Sequence, residues 1–258
     1  MKFSILITSF NKGKYIEECI KSCLEQTYNN FEIIVCDNYS TDNSEETFIK
    51  YKKEITLFKK KRISNSSVLN QIDLFKLGVQ KAKGNFICLL DADDYFFPKK
   101  LEILRKKILK RPNIDVVYDL SLIKKNNSYE KFTLKKKFQK FIWPTIINSS
   151  SITISKLFLN KCVKNNVFEK FNYLEIDFRI NVYSRCIIKN FLIINENITV
   201  YRFVENSVMY NLKRYSSKWW YKRFEAHEFM KALYKKNNLV YSNKIDFFIS
   251  KTLARILI

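Results

Sequence analysis

Asp91, Asp93 and Asp94 crowd into one short stretch, Phe86 to Leu101, which reads FICLLDADDYFFPKKL. They follow five apolar residues, Phe86 to Leu90, that have the look of a buried strand of a parallel sheet. Like charges at a strand end repel, and a divalent cation relieves that repulsion best where Asp91 and Asp93 turn toward one point. Oxygen ligands of this kind suit Mg²⁺ or Mn²⁺. A solvated acidic turn is the competing reading, because a D-x-D triplet alone is a weak pattern.

The elements that would position this cluster are legible around it. Phe3 to Thr8 is a β-rich run followed by the polar turn Ser9 to Gly13. Ile16, Cys19, Ile20, Cys23 and Leu24 then recur at helical spacing, predicting an amphipathic helix over Tyr15 to Gln26. Phe31 to Cys36 reads as a second strand closed by the turn-forming Asp37 to Asp42, with another helix from about Ser44. A weaker strand near Glu54 to Lys59 and a helix from Ser67 to Ala82 follow, with Gly84 at a helix-ending position. Pro98 fits the first turn of a helix over Lys99 to Lys110.

Strand and helix in alternation predict a mostly parallel α/β sheet with helices on both faces. Ligands of such sheets bind beyond the carboxyl ends of the strands, which puts Thr8 to Asn11, Asp37 to Tyr39 and Asp91 to Asp94 on one rim. Further on, strands are expected at Val116 to Tyr118, Ser151 to Ser155, Phe191 to Asn195 and Ile198 to Phe203, a turn at Lys124 to Asn127, and a helix over Glu175 to Ile188. The tail carries two helical stripes. One is Trp219, Trp220, Phe224, Met230, Leu233 and Tyr234; the other is Ile245, Phe248, Ile249, Leu253 and Ile256. The expected division is a catalytic domain over 1–207 and a basic helical appendage over 208–258.

Composition sets limits on function. The 258 residues and the 47% hydrophobic content suit a globular chain with a substantial core. The net charge of +22 favours phosphate-bearing partners, but the lysines are spread along the chain and no nucleic-acid motif appears, so a nucleic-acid binder is the weaker class. No run approaches the roughly 20 apolar residues of a membrane-spanning helix. Met1 to Lys14 reads as a first strand and not as a signal peptide, since Asn11, Lys12 and Lys14 stand where a cleavage site should be. The six dispersed cysteines read as free thiols of a reducing cytosol.

Two blocks together carry a family resemblance. FSILITSFNKGKYIEECIKSCLEQTYNNFEIIVCDNYSTDNS and LGVQKAKGNFICLLDADDYFFPKKLE resemble the family 2 inverting glycosyltransferases of GT-A, Rossmann-like fold. The resemblance is dense from Phe3 to about Ile103 and fainter to Ser207. It implies a nucleoside-diphosphate sugar as donor and Mg²⁺ or Mn²⁺ as the metal. It also implies that Asp37 contacts the base, with Thr8 and Phe10 flanking it, and that Asp91 and Asp93 serve the ribose and the diphosphate-bound metal. Asn38 and Tyr39 replace the family's second acid and glycine.

The family's catalytic base is the second residue of an E-D pair opening a helix. Asp177 matches it, with Ile176 in place of the first acid and Glu175 one residue out of register; an acidic first turn without chemistry is the bland alternative. Tyr201 to Ser207 resembles a Y-R-x-H-x-x-S segment, but Val204 replaces its histidine. The only histidine, His227, is expected to be structural or exposed and not a ligand. Arg202 and Lys76 are candidates for phosphate contact. The implied acceptor is a surface polysaccharide or lipid-linked glycan, reached from the cytoplasm at the inner face of the membrane. The tail could pack on the domain, form a homo-oligomer, or lie on an anionic membrane. A GT-A protein that binds without catalysing is the alternative that Val204 raises.

Overall fold

In the computed structural model, which describes residues 1–126, 128–134, 143–204, 212–242 and 245–256, the first half alternates as the periodicity predicts. It runs β1 (Phe3–Ser9), α1 (Ile16–Leu24), β2 (Phe31–Asp37), α2 (Ser44–Lys50), β3 (Ile55–Lys59), α3 (Ser67–Lys81), β4 (Phe86–Asp91), the short β5 (Tyr95–Phe96) and α4 (Lys100–Leu109). The second half holds β6 (Val116–Tyr118), β7 (Leu122–Lys125), β8 (Ser128–Lys131), β9 (Ile152–Ser155), α5 (Lys156–Lys164), α6 (Ile176–Val182), β10 (Phe191–Ile193), β11 (Thr199–Arg202), α7 (Ser217–Lys236) and α8 (Ile245–Ile256).

A seven-stranded sheet has the order β10-β6-β9-β4-β1-β2-β3, and a four-stranded sheet has the order β5-β11-β7-β8. β1 pairs in parallel with both β2 and β4, so Ser9 lies beside Asp37 and Thr8 beside Asp91. β9 alone runs antiparallel to its neighbours in the large sheet, β4 and β6. Alternation along the central strands feeds two cores. Leu6, Ile34, Cys36, Ile87 and Leu89 face one, and Ile5, Ile7, Ile33, Val35, Cys88 and Leu90 face the other.

Some expectations change. Gly84 does not end α3 in a left-handed turn, since no glycine has positive φ. It lies against β1, where an added Cβ would stand 2.5 Å from the Ser4 nitrogen. Close approach to backbone, not conformational freedom, therefore requires the glycine. Tyr39, at the family's glycine position, keeps the left-handed backbone at φ 55°. The predicted stripe of α8 is inverted: Phe247, Ser250 and Ala254 face inward, while Ile245, Phe248, Ile249 and Ile256 are exposed. Small residues at 250 and 254 let α8 lie close to α7, and close packing outweighed hydrophobicity in choosing the face. Of the predicted turn Lys124 to Asn127, Lys124 and Lys125 belong to β7; Asn127, Glu205 to Ser207 and the expected boundary at 207/208 lie outside the described residues.

Helix α7 shares the core of the rest. Ala226, Phe229, Met230 and Leu233 of α7 join the same buried cluster as Leu6 and Ile34. His227 is buried and structural, with Nδ1 2.7 Å from the Tyr241 hydroxyl and Nε2 2.6 Å from Asp246. All six cysteines are free thiols, five of them buried.

Candidate active site

A cleft of about 340 Å³ opens at the carboxyl ends of β1, β2 and β4, within the size range of small-molecule sites. Thr8, Phe10, Lys12, Asn38, Arg62, Asp91, Asp93, Glu175, Asp177 and Arg202 all line it. Thus the turn after β1, the acidic turn after β4, the start of α6 and the end of β11 meet in one place, and a freely solvated loop no longer describes Asp91 to Asp94.

The three aspartates have different tasks. Asp91 is held on both oxygens: Oδ1 accepts from Gln71 Nε2 at 2.9 Å and from the Thr8 hydroxyl at 3.5 Å, and Oδ2 accepts from the Ser149 hydroxyl. Burial, and then repulsion from Asp93, raises its carboxyl to about 6. Asp94 is fully buried and takes the Ser150 hydroxyl at 2.5 Å and the Arg202 backbone N–H at 2.8 Å. It therefore ties β11 to the acidic turn. Asp93 Oδ2 pairs with Lys12 Nζ at 2.5 Å, and among the described residues Oδ1 has no hydrogen-bond partner. Burial disfavours the Lys12 charge, but Asp93, Asp91 and Asp94 together raise its pKa.

These donors fit a metal that the substrate would help to complete. Among the described residues no group of three or more His, Cys, Asp or Glu is arranged as a closed ion cage. Mg²⁺ usually keeps several waters and binds through one or two carboxylates plus substrate phosphates. Asp93, which lines the cleft, would be the ligand of such a site, with Asp91 beside it.

The serines that grip Asp91 and Asp94 come from a 3₁₀ turn, Ser149–Ser151, just before β9. Buried Lys100 holds this turn: its Nζ donates to Ser150 O at 2.9 Å and Thr199 Oγ1 at 2.6 Å, and pairs with Asp119 at 2.7 Å. Sequence reasoning missed these serines, Lys12, Gln71 and Arg62. Lys12 was visible only as one of many lysines in a polar turn.

Asp177 sits in the first turn of α6, where its Oδ1 accepts the Phe178 N–H at 2.7 Å. Burial, and then the neighbouring Glu175, pushes its carboxyl up to about 7, the range in which a general base works near neutral pH. Fully buried Arg179 on the next turn shapes the approach to it. The guanidinium donates to the carbonyls of Leu174, Val167, Glu169, Lys170 and Phe171 at 2.5–3.1 Å.

Two predicted residues do not reach the cleft wall. Asp37 is fully buried, and both its oxygens are taken by Ser40, through the backbone N–H at 2.8 Å and the hydroxyl at 2.5 Å. Its neighbour Asn38 lines the cleft instead, as does Arg62, whose guanidinium lies 4.5 Å from the centre of the Phe10 ring. Lys76 pairs with Glu169 at 2.5 Å, away from the cleft-lining residues. Arg202 does line the cleft. It pairs with Glu18 at 2.5 Å, and its guanidinium lies 5.3 Å from the Tyr15 ring centre and 4.8 Å from that of Tyr95.

The model of Glycosyl transferase family 2 matches residues 4–164, which include the acidic turn and the serines that hold it. The chain belongs to this family. Among relatives, an uncharacterized glycosyltransferase of Rickettsia bellii is 38% identical over 107 residues, covering 41% of this chain and 15% of that protein. The Escherichia coli UDP-Glc:alpha-D-GlcNAc-diphosphoundecaprenol beta-1,3-glucosyltransferase WfgD is 29% identical over 160 residues, 61% of each chain. The chain thus spans between 15% and 61% of the length of these curated relatives.

Among solved structures, Staphylococcus aureus TarS 1-349 in complex with UDP-GlcNAc has a TM-score of 0.67 at 16% identity, covering 100% of this chain and 71% of TarS 1-349. The mannosyltransferase PcManGT of Pyrobaculum calidifontis, in complex with GDP-Man and Mn²⁺, has a TM-score of 0.56 at 16% identity, covering 99% and 69%. The family 2 chain therefore has the GT-A fold of the TarS structures.

Proposed function

We propose that this chain is an inverting glycosyltransferase that moves a sugar from a nucleoside-diphosphate donor to a hydroxyl of a surface polysaccharide or lipid-linked glycan. The observation that carries the reading is one cleft holding both a carboxylate with an oxygen free of hydrogen bonds among the described residues, Asp93, and a carboxylate with raised proton affinity, Asp177, on a separate element. Phe10, Arg62 and Asn38 form the end that receives the nucleoside base, with Thr8 below it. Lys12 and Arg202 lie where they can meet the diphosphate. Asp177 takes the proton from the attacking hydroxyl, leaving its carboxyl neutral until the proton passes to water.

Mg²⁺ or Mn²⁺ held at Asp93, when bound, would neutralise charge that builds on the leaving diphosphate. The chain's own contribution is to hold Asp91 rigid through Ser149, Gln71 and Thr8, so that Asp93 points at that place without searching for it. The acceptor end of this reading lies at a membrane. The relative WfgD is a glucosyltransferase acting on alpha-D-GlcNAc-diphosphoundecaprenol, and the outward face of α8 presents Ile245, Phe248, Ile249 and Ile256 beside Lys251 and Arg255. Aliphatic residues flanked by cations suit an anionic lipid surface.

The test is a thermal-shift panel of UDP, GDP, CDP and dTDP sugars with and without Mn²⁺, followed by transfer assays on the stabilising donor. Asp93→Asn and Asp177→Asn are each expected to lower kcat by about 100-fold or more, the upper part of the range for positioned acid–base and electrostatic groups. Only Asp93→Asn should also abolish the Mn²⁺-dependent part of the shift. Binding of a donor with no turnover by the native protein would replace this reading with that of a nucleotide-sugar-binding protein.

A further inference from the structure

Helix α7 reaches the cleft from behind. Lys222 Nζ pairs with Glu175 Oε1, both side chains being largely buried at 18% and 15% exposure. One turn later Glu225 accepts the backbone N–H groups of Asn172 at 2.9 Å and Tyr173 at 2.8 Å. Rings complete the contact: Tyr221 lies 5.0 Å from Tyr173, and Phe229 lies 5.4 Å from Phe171 and 6.2 Å from Phe178. Residues 221, 222, 225 and 229 fall on one helical face, and that face grips the segment 171–178 that carries Asp177.

We propose that Lys222 is a positioning residue for Asp177, holding Glu175 as a compensated ion pair so that the C-terminal helix forms part of the catalytic site. The inference rests on the reading of Asp177 as the base. Glu175 stands at the residue before α6, without a capping hydrogen bond from its side chain, and lines the same cleft as Asp177, so two carboxylates share one helix start. Lys222 supplies the neutralising charge from another element. Among the described residues, the other charged or titratable groups around the pair are Asp91 from β4 and Tyr201 and Arg202 from β11 on the Asp177 side, and Glu225 from α7 and Arg179 from α6 itself on the Glu175 side. Asp91 repels, Arg202 is engaged with Glu18, and Arg179 is directed to the carbonyls of 167–174. Among the described residues, Lys222 is thus the cation that acts on the acidic pair through a direct contact.

Removal of that cation has a signed consequence. In Lys222→Met the Glu175 charge is unscreened beside Asp177, and the proton on Asp177 is held more tightly. In Glu175→Gln the repulsion disappears and the proton is released at lower pH. The double variant Glu175→Gln/Lys222→Met loses one charge of each sign and returns toward the native value. Lys222→Arg keeps the pair and the native value.

The experiment follows the side-chain carboxyl of Asp177 by carbon NMR in ¹³C-aspartate-labelled full-length protein, assigned by its absence in Asp177→Asn. The midpoint is expected to rise by about half to one pH unit in Lys222→Met and to fall by a similar amount in Glu175→Gln, below the 1–3 units of a direct ion pair. The acid limb of kcat/KM should move in parallel. If Lys222→Met does not fold, the comparison of Glu175→Gln with the double variant carries the same information, since restoring the cation must lower the midpoint. An unmoved midpoint in a folded Lys222→Met, or in that comparison, while Asp177→Asn abolishes transfer, overturns the inference and leaves the base assignment standing. Full transfer by Asp177→Asn overturns the base assignment itself.

Discussion

At the scale of single residues, the proton affinity of Asp177 links activity to stability in opposite directions. A base must be unprotonated, so kcat/KM is expected to fall about tenfold per pH unit below the raised value of about 7. The folded state binds this proton more tightly than the unfolded chain does. Its contribution to stability is therefore full at low pH and is lost as pH rises from the ordinary carboxylate range through about 7. Asp177→Asn should then melt at a higher temperature than the native protein at pH 8, by an amount equivalent to about 1–3 kcal/mol, and show little difference at pH 4. Equal melting temperatures at pH 8 would count against a desolvated carboxylate. Asp91 and Asp93 were legible because carboxylates crowded at the end of an apolar strand stand out, whereas Asp177 was legible only through the family resemblance, since acidic residues are common in the first turn of a helix. Lys12 and Arg62 were not, because nothing in a chain with 47 Lys and Arg distinguishes the few that turn inward.

At the scale of elements, the rim rule for parallel sheets located most of the site and also explains what it overlooked. Ser149 and Ser150 precede β9, and a residue ahead of a parallel strand lies at the wrong end of the sheet. β9 runs antiparallel, so its beginning lies at the functional rim. Strand direction is a tertiary property that the alternation of Ile152 to Ser155 does not encode. The approach to α6 has a similar origin in long-range contact: Lys170 and Phe171 both hold left-handed backbone, at φ 54° and 58°. Each costs on the order of 1 kcal/mol, and the Arg179 guanidinium compensates by binding the carbonyls of that same bend. Arg179→Lys keeps the charge and loses the planar fork, so it should lower stability in urea by about 3 kcal/mol or more. A loss below about 1 kcal/mol would show that the bend holds itself.

At the scale of the whole molecule, the chain is a family 2 fold in which helix α7 is built into the core. The two tail stripes were visible in sequence, but which side of α8 faces inward depends on α7, and periodicity alone chose the more hydrophobic side. The outward aliphatic side yields a prediction for the membrane reading. Ile249→Glu together with Phe248→Glu should reduce sedimentation with vesicles containing anionic lipid by about tenfold or more, in line with the several kcal/mol carried by two buried apolar side chains. Thermal stability should change little, since both positions are exposed. Retained sedimentation would point the exposed face toward a second copy of the chain, measurable as a concentration-dependent mass. The embrace of segment 171–178 by α7 also bears on how the protein is made. β1 carries Thr8, and Lys222 is synthesised more than two hundred residues after it. A nascent chain can assemble the nucleotide half of the cleft early, but its acceptor half is left without a back wall until α7 has been made, so donor binding should precede transfer competence during biosynthesis.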